Sequence, residues 1–175
     1  SGRLGWAVRS ENDREHDWFD VMGPYYAVAF DPHAAARVVG CWRLLPTLGP
    51  NMLRDIFPQL LDGTAAPADE RTWEISRFAI DKDYAGGGCG FSDLPADLLR
   101  AMLRFAAMRG IESIVGVTSA AIERMAISLG FKMERLGRPR RIGDVMSLAF
   151  RLPVDEETRL AVCGHSPDVM LDRAA

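Results

Sequence analysis

Thr72-Trp73-Glu74-Ile75-Ser76-Arg77-Phe78-Ala79-Ile80 decides the fold. Its aromatic and β-branched residues, between a polar linker and a glycine run, read as a central β-strand. Glu74 and Arg77 do not belong in a buried strand. Burying an ionised group costs several kcal/mol unless it is paired or used. Positions three apart on a regular strand point to opposite faces. Both side chains reach one pocket only if the strand bulges or ends near Arg77. Each could instead close a cross-sheet salt bridge. The chemical reading gives Glu74 to an amine and Arg77 to a ligand carboxylate, which a guanidinium fork binds bidentately.

Two other stretches share this oddity. Asp17-Trp18-Phe19-Asp20 sets two carboxylates around two large aromatics, and Cys41-Trp42-Arg43-Leu44-Leu45 puts an arginine in an apolar run. Asp17 and Asp20 share a face if their segment is helical. They read either as a capped, solvated loop or as an acidic site for a flat, cationic ligand. Arg43 reads as a strut pairing with those acids. Three acids against two arginines leave a net charge of about −1, which favours a cation.

Around this centre, residues 7–20 read as a loop or short helix, and 25–30 and 37–45 as a strand hairpin turned at Asp31-Pro32-His33. Residues 51–61 have helical spacing interrupted by Pro58, which breaks or kinks a helix. Leu98, Met102, Phe105 and Met108 mark one face of a helix over 94–109, with Gly110 as its cap. A strand over 111–117, a helix over 119–129, strands over 131–135 and 145–152, and a short helix over 155–162 follow. The order implies an α/β fold, a mixed central sheet flanked by helices. Residues 3–162 read as a single domain and 163–175 as a polar tail.

The 175 residues are 48% apolar and 26% charged with net charge −3, which disfavours nucleic acid as a partner. No apolar run reaches the roughly 20 residues of a membrane span, and no secretory signal is visible, so a cytoplasmic location is expected. Cys41, Cys89 and Cys163 lack CxxC spacing, and His16, His33 and His165 lack ligand spacing. Neither a metal nor a cofactor is expected. Gly86-Gly87-Gly88-Cys89-Gly90 lacks phosphate-loop spacing and reads as flexible. Lys132, Arg135, Arg138, Arg140 and Arg141 form a basic cluster, either a solvated face or a docking patch for an acidic partner.

The ordered blocks Arg3-Leu4-Gly5-Trp6, Asp17-Trp18-Phe19-Asp20, Gly40-Cys41-Trp42-Arg43-Leu44-Leu45-Pro46-Thr47, Asn51-Met52-Leu53 and Trp73-Glu74-Ile75-Ser76-Arg77-Phe78 resemble the acyl-homoserine lactone synthases of the LuxI type, over residues 3 to 152. The resemblance implies an N-acetyltransferase-like α/β/α sandwich. It implies two substrates, S-adenosylmethionine and an acyl chain on acyl carrier protein, with release of 5′-methylthioadenosine on lactonisation. Glu74 becomes the general base, with Asp17, Asp20 and Arg43 completing the catalytic cluster. Trp6, Trp18, Arg77 and Phe78 would hold S-adenosylmethionine. Leu98, Met102, Phe105, Val117 and Met125 would line an acyl slot between the sheet and the 94–109 helix. The basic cluster would meet the carrier protein. Glu74→Gln is then expected to lower turnover with little effect on folding.

Family members carry an Arg and a Phe upstream of the first block. The missing Met and the start at Ser1-Gly2 imply that a segment precedes this sequence. Gly116 lies where the family often carries a Thr associated with 3-oxo chains, which favours an unsubstituted acyl chain. A coenzyme A-dependent N-acyltransferase of the same fold and a non-catalytic binding module are the alternatives.

Overall fold

The computed structural model describes residues 10–11, 14–84 and 94–164. Strand β5 (Thr72–Ile80) lies inside a mixed sheet, flanked by β4 (Ala34–Pro46) and β6 (Ser113–Ser119). The sheet runs β3 (Tyr25–Asp31), β4, β5, β6, β9 (Val145–Pro153), β7 (Glu134–Arg135), and β8 (Arg140–Ile142) also pairs with β9. Among the described strands only β5 and β6 pair in parallel. Strands β1 (Ser10–Glu11) and β2 (Arg14–Glu15) form a separate small ladder where a loop or short helix was expected.

The demanded bulge is present. Cys41 pairs with Ala79 and Arg43 with Ser76, so β5 carries one residue more than β4 between these rungs. Arg77 takes up the excess at φ 52°, a left-handed conformation costly for a side chain with a Cβ. The β5–β6 ladder ends at Ile75 opposite Gly116. Beyond it β5 pairs with β4 alone and β6 with β9 alone, so the sheet opens between them. A Cβ on Gly116 would lie 2.7 Å from the Ile75 carbonyl oxygen, so a larger residue at this last rung requires the neighbouring backbone to shift.

Helix α2 (Leu94–Met108) buries Leu98, Leu99, Met102, Leu103 and Ala106 on one sheet face, against Trp42, Leu44, Ile75, Ile114, Leu148 and Phe150. Helix α3 (Ala120–Ser128) adds Ala126 and α4 (Glu156–Cys163) adds Val162 to this core. Each fully buried side chain of this size contributes about 1.5–3 kcal/mol. The opposite face is covered by α1 (Met52–Asp55) and a 3-10 turn at Pro58–Leu61, through Leu53, Phe57, Leu60 and Leu61 against Val115 and Ala149. Pro58 divides these two, as expected. The result is the anticipated α/β sandwich. Among the described residues no helix is long and apolar enough to cross a membrane.

Two strands are displaced from their expected ranges for the same reason. Gly110 (φ 68°) sends its N–H to Ala107, and Ile111 sends its own to Ala106. Gly130 (φ 95°) and Phe131 close on Ile127 and Ala126 in the same way. These are Schellman closures, whose last residue is an apolar anchor. Ile111 and Phe131 are both buried and so belong to helix ends, leaving β6 to start at Ser113 and β7 with only two residues. Part of the basic run forms β8, which turns at Gly143-Asp144 into β9.

Candidate active site

Arg43 sits at the centre of a charged cluster, fully buried. Its Nε donates to Ser76 Oγ at 2.9 Å, and one terminal nitrogen donates to Asp17 Oδ1 at 2.6 Å and Asp20 Oδ1 at 2.5 Å. The other terminal nitrogen reaches Met52 Sδ at 3.4 Å. Its Cζ lies 5.7 Å from the ring centre of Phe19, which is also buried.

The two aspartates are fixed before any ligand arrives. Asp17 caps a 3-10 turn, Trp18–Val21, and Asp20 is its third residue, the two forming a reciprocal capping box. The Asp17 N–H donates to Asp20 Oδ2 at 2.8 Å, and the Asp20 N–H to Asp17 Oδ1 at 3.2 Å. From the bulge, Arg77 reaches Asp17 Oδ2 and Asp20 Oδ2, both at 3.0 Å. Two carboxylates and two guanidiniums thus compensate one another. Burial alone would raise the Asp20 carboxyl, but hydrogen bonds from Tyr26, the backbone and Arg43, with the charge of Arg77, bring it down to about 2.

Glu74 lies apart from this quartet. Its side chain shares the Arg43 face but turns to the start of α1, where Oε1 accepts the Met52 N–H at 2.8 Å and Oε2 the Leu53 N–H at 2.6 Å. It is 1% exposed. Burial pushes its carboxyl up to about 7, against the pull of those two N–H groups and the Arg43 charge. Glutamine has one acceptor for these two buried donors, which sets a stability cost for Glu74→Gln against the expected little effect on folding. The site charge of −1 rests on Glu74 and falls toward zero at neutral pH.

Trp18 is the open aromatic of the turn, 69% exposed. Phe78 packs with the α2-side core, on the other sheet face from the aspartates. Trp6 and the glycine run 86–90 lie outside the described residues. Of the acyl-slot candidates, Leu98, Met102, Phe105 and Met125 belong to the α2-side core, with Leu98 and Met102 fully buried in it. Val117 belongs to the opposite apolar cluster, so the sheet separates it from the other four and the five cannot line one slot between sheet and α2.

The basic cluster is partly neutralised. Lys132 pairs with Glu157, Arg135 grips the buried Glu123 at 2.6 and 2.7 Å, and Arg138 and Arg140 share Asp62 at 3.2 and 2.8 Å. Arg141 donates to the Asp144 carbonyl. Three acids against five cations leave two positive charges. Among the described residues no group of His, Cys, Asp and Glu is arranged to hold a metal ion.

Sequence reading missed Tyr26, Ser76 and Met52. Tyr26 stands opposite Arg43 in the β3–β4 register, and its hydroxyl donates to Asp20 Oδ1. Strand register was the only signal for it, and periodicity alone does not supply register.

The sequence model of the autoinducer synthase family matches residues 1–162. An acyl-homoserine-lactone synthase of Pseudomonas aeruginosa is 38% identical over 162 residues, covering 93% of this chain and 80% of that protein. The crystal structure of the AHL synthase LasI superposes with a TM-score of 0.83 at 35% identity, over 98% of this chain and 84% of that one. BjaI, a CoA-dependent acyl-homoserine lactone synthase solved with SAM and isopentyl-CoA, gives 0.78 at 26%, over 89% and 70%. The fold alone is shared with an N-acetyltransferase-like protein of Lactobacillus plantarum, with a TM-score of 0.55 at 15% identity, over 84% of this chain and 79% of that one.

Proposed function

The chain belongs to the autoinducer synthase family, acyltransferases that make quorum-sensing signals, and on that premise we propose that it joins S-adenosylmethionine to an acyl group carried on acyl carrier protein. The observation that carries this reading is the quartet of Asp17, Asp20, Arg43 and Arg77 assembled on a strand bulge beside a buried carboxylate. The site has fixed charges on one side, an exposed indole at Trp18 and an opening in the sheet next to Arg77. A ligand carrying both a sulfonium and a flat adenine suits such a wall. The binding of SAM by BjaI supports the same choice.

In the first step the α-amine of S-adenosylmethionine, stripped of one proton, attacks the acyl thioester carbon. The tetrahedral intermediate expels the carrier thiolate, which takes a proton, and the amide forms. Glu74 receives the amine proton through a bridging water, since its oxygens face Met52 and Leu53. A carboxyl near 7 suits a base working at neutral pH. In the second step the methionine carboxylate attacks its own γ-carbon. The γ-carbon–sulfur bond breaks, its electron pair neutralises the sulfonium, and 5′-methylthioadenosine leaves as the lactone closes. Arg43 and Arg77 hold Asp17 and Asp20 rigid, and Arg77 and Trp18 orient the substrate. The acyl chain enters at the opening between β5 and β6 and runs along the α2-side residues Leu98, Met102, Phe105 and Met125.

The carrier protein would dock on the two charges left over at Arg138, Arg140 and Arg141, with Lys132 and Arg135 at the margin. A second reading, acyl-coenzyme A as donor, has the likeness to BjaI in its favour. Competing acyl-carrier and acyl-coenzyme A donors of one chain length in a single reaction decides between them. A carrier preference of tenfold or more supports the first reading, and the reverse preference replaces it.

A further inference from the structure

Tyr26 has an arrangement that a surface tyrosine does not need. It stands on edge strand β3, directly across from the buried Arg43. Its hydroxyl donates to Asp20 Oδ1, the same oxygen that takes Arg43 at 2.5 Å. Asp20 Oδ2 meanwhile takes the Asp17 N–H at 2.8 Å and Arg77 at 3.0 Å, and His16 Nδ1 lies 3.3 Å from it. Asp20 is thereby committed on every side, and its side chain is only 11% exposed. Asp17, at 29%, is the more open carboxylate.

The hydroxyl is anchored in the charge cluster, yet the residue remains 48% exposed. Desolvation and the Asp20 carboxylate hold that hydroxyl above its ordinary range. The ring is tethered at its polar tip and open on the face that also carries Arg43 and Glu74. It belongs to the same neighbourhood as the exposed Trp18, two residues before Asp20. A tethered, half-open ring beside a saturated carboxylate is a preformed wall for a cation that arrives with its own flat group.

We propose that Tyr26 is a substrate-positioning residue: its hydroxyl fixes Asp20, and its ring faces the sulfonium end of S-adenosylmethionine. This rests on the assignment of S-adenosylmethionine to the site. The hydroxyl and the ring contribute separately, and the ring acts on the charged ligand more than on a neutral one of the same shape.

The test uses Tyr26→Phe and Tyr26→Leu in the full chain, with thermal melts to show that both fold. Steady-state constants and calorimetric affinities are measured with S-adenosylmethionine and with 5′-methylthioadenosine, which keeps the adenosine but lacks the sulfonium. Tyr26→Phe is expected to raise KM for S-adenosylmethionine about 3-fold, with KM for the acyl donor unchanged. Tyr26→Leu is expected to weaken S-adenosylmethionine about 10-fold and 5′-methylthioadenosine no more than 3-fold. Equal weakening of both ligands, or an unchanged KM in both variants, overturns the Tyr26 assignment while leaving the synthase reading intact. A wild-type protein that binds neither ligand overturns the site assignment itself, and Tyr26 with it.

Discussion

Replacing Glu74 with Gln separates a structural task from a chemical one. Both Glu74 oxygens accept backbone N–H groups, from Met52 at 2.8 Å and Leu53 at 2.6 Å. Glutamine keeps one acceptor and turns an NH2 toward the second donor. A buried donor left unsatisfied costs about 1–3 kcal/mol, so the variant is expected to be less stable by that amount at pH 4.5. There the wild-type group is protonated, and its hydroxyl oxygen still accepts. The gap then narrows as pH rises. Glu74 goes from 4.5 in the unfolded chain to about 7 in the fold, so its contribution is fully present below 4.5 and is lost as pH rises through 7. At about 1.36 kcal/mol per pKa unit the loss is roughly 3 kcal/mol. Glutamine does not titrate and loses nothing. Urea denaturation of both proteins at intervals from pH 4.5 to 8 reads the difference directly. Turnover of Glu74→Gln is expected to fall by about 10²-fold or more. A stability difference that is flat with pH refutes the burial argument, and unchanged turnover refutes the proton-acceptor role.

Other substitutions probe the frame around it. Arg43→Met leaves Asp17 and Asp20 facing each other with only Arg77 between them, and a loss of about 3–5 kcal/mol is expected in denaturant titration. Arg77→Gly and Arg77→Ala remove the same ion pairs but differ in backbone freedom at φ 52°. The glycine variant should therefore be the more stable by about 1 kcal/mol, the reverse of the usual order. Gly116→Ala forces a Cβ to within 2.7 Å of the Ile75 carbonyl. A cost of about 1–3 kcal/mol is expected from overpacking, read as a lowered melting temperature.

The bulge at Arg77 was legible because Glu74 and Arg77 could not both serve one face of a regular strand. The strut role of Arg43 was legible because an unpaired arginine in an apolar run is too costly to keep. The turn holding Asp17 and Asp20 was half legible: their spacing fits a capping box, but nothing local told a 3-10 turn from a longer helix. Ile111 and Phe131 were misread as strand because an apolar residue after a helix-ending glycine serves equally as a Schellman anchor or a strand start. Val117 was placed on the wrong face because the facing of β6 is set by its rungs with β5 and β9. Glu74 was assigned to an amine, and its two backbone donors come from a turn more than 20 residues earlier. Long-range contacts of that kind leave no local pattern.

The most direct test is a mass-balanced assay of the full chain with S-adenosylmethionine and an acyl carrier protein charged with one acyl chain. The proposed chemistry predicts acyl-homoserine lactone, free carrier thiol and 5′-methylthioadenosine in equal amounts by mass spectrometry. Amide without 5′-methylthioadenosine, or no product from S-adenosylmethionine with either donor, contradicts it.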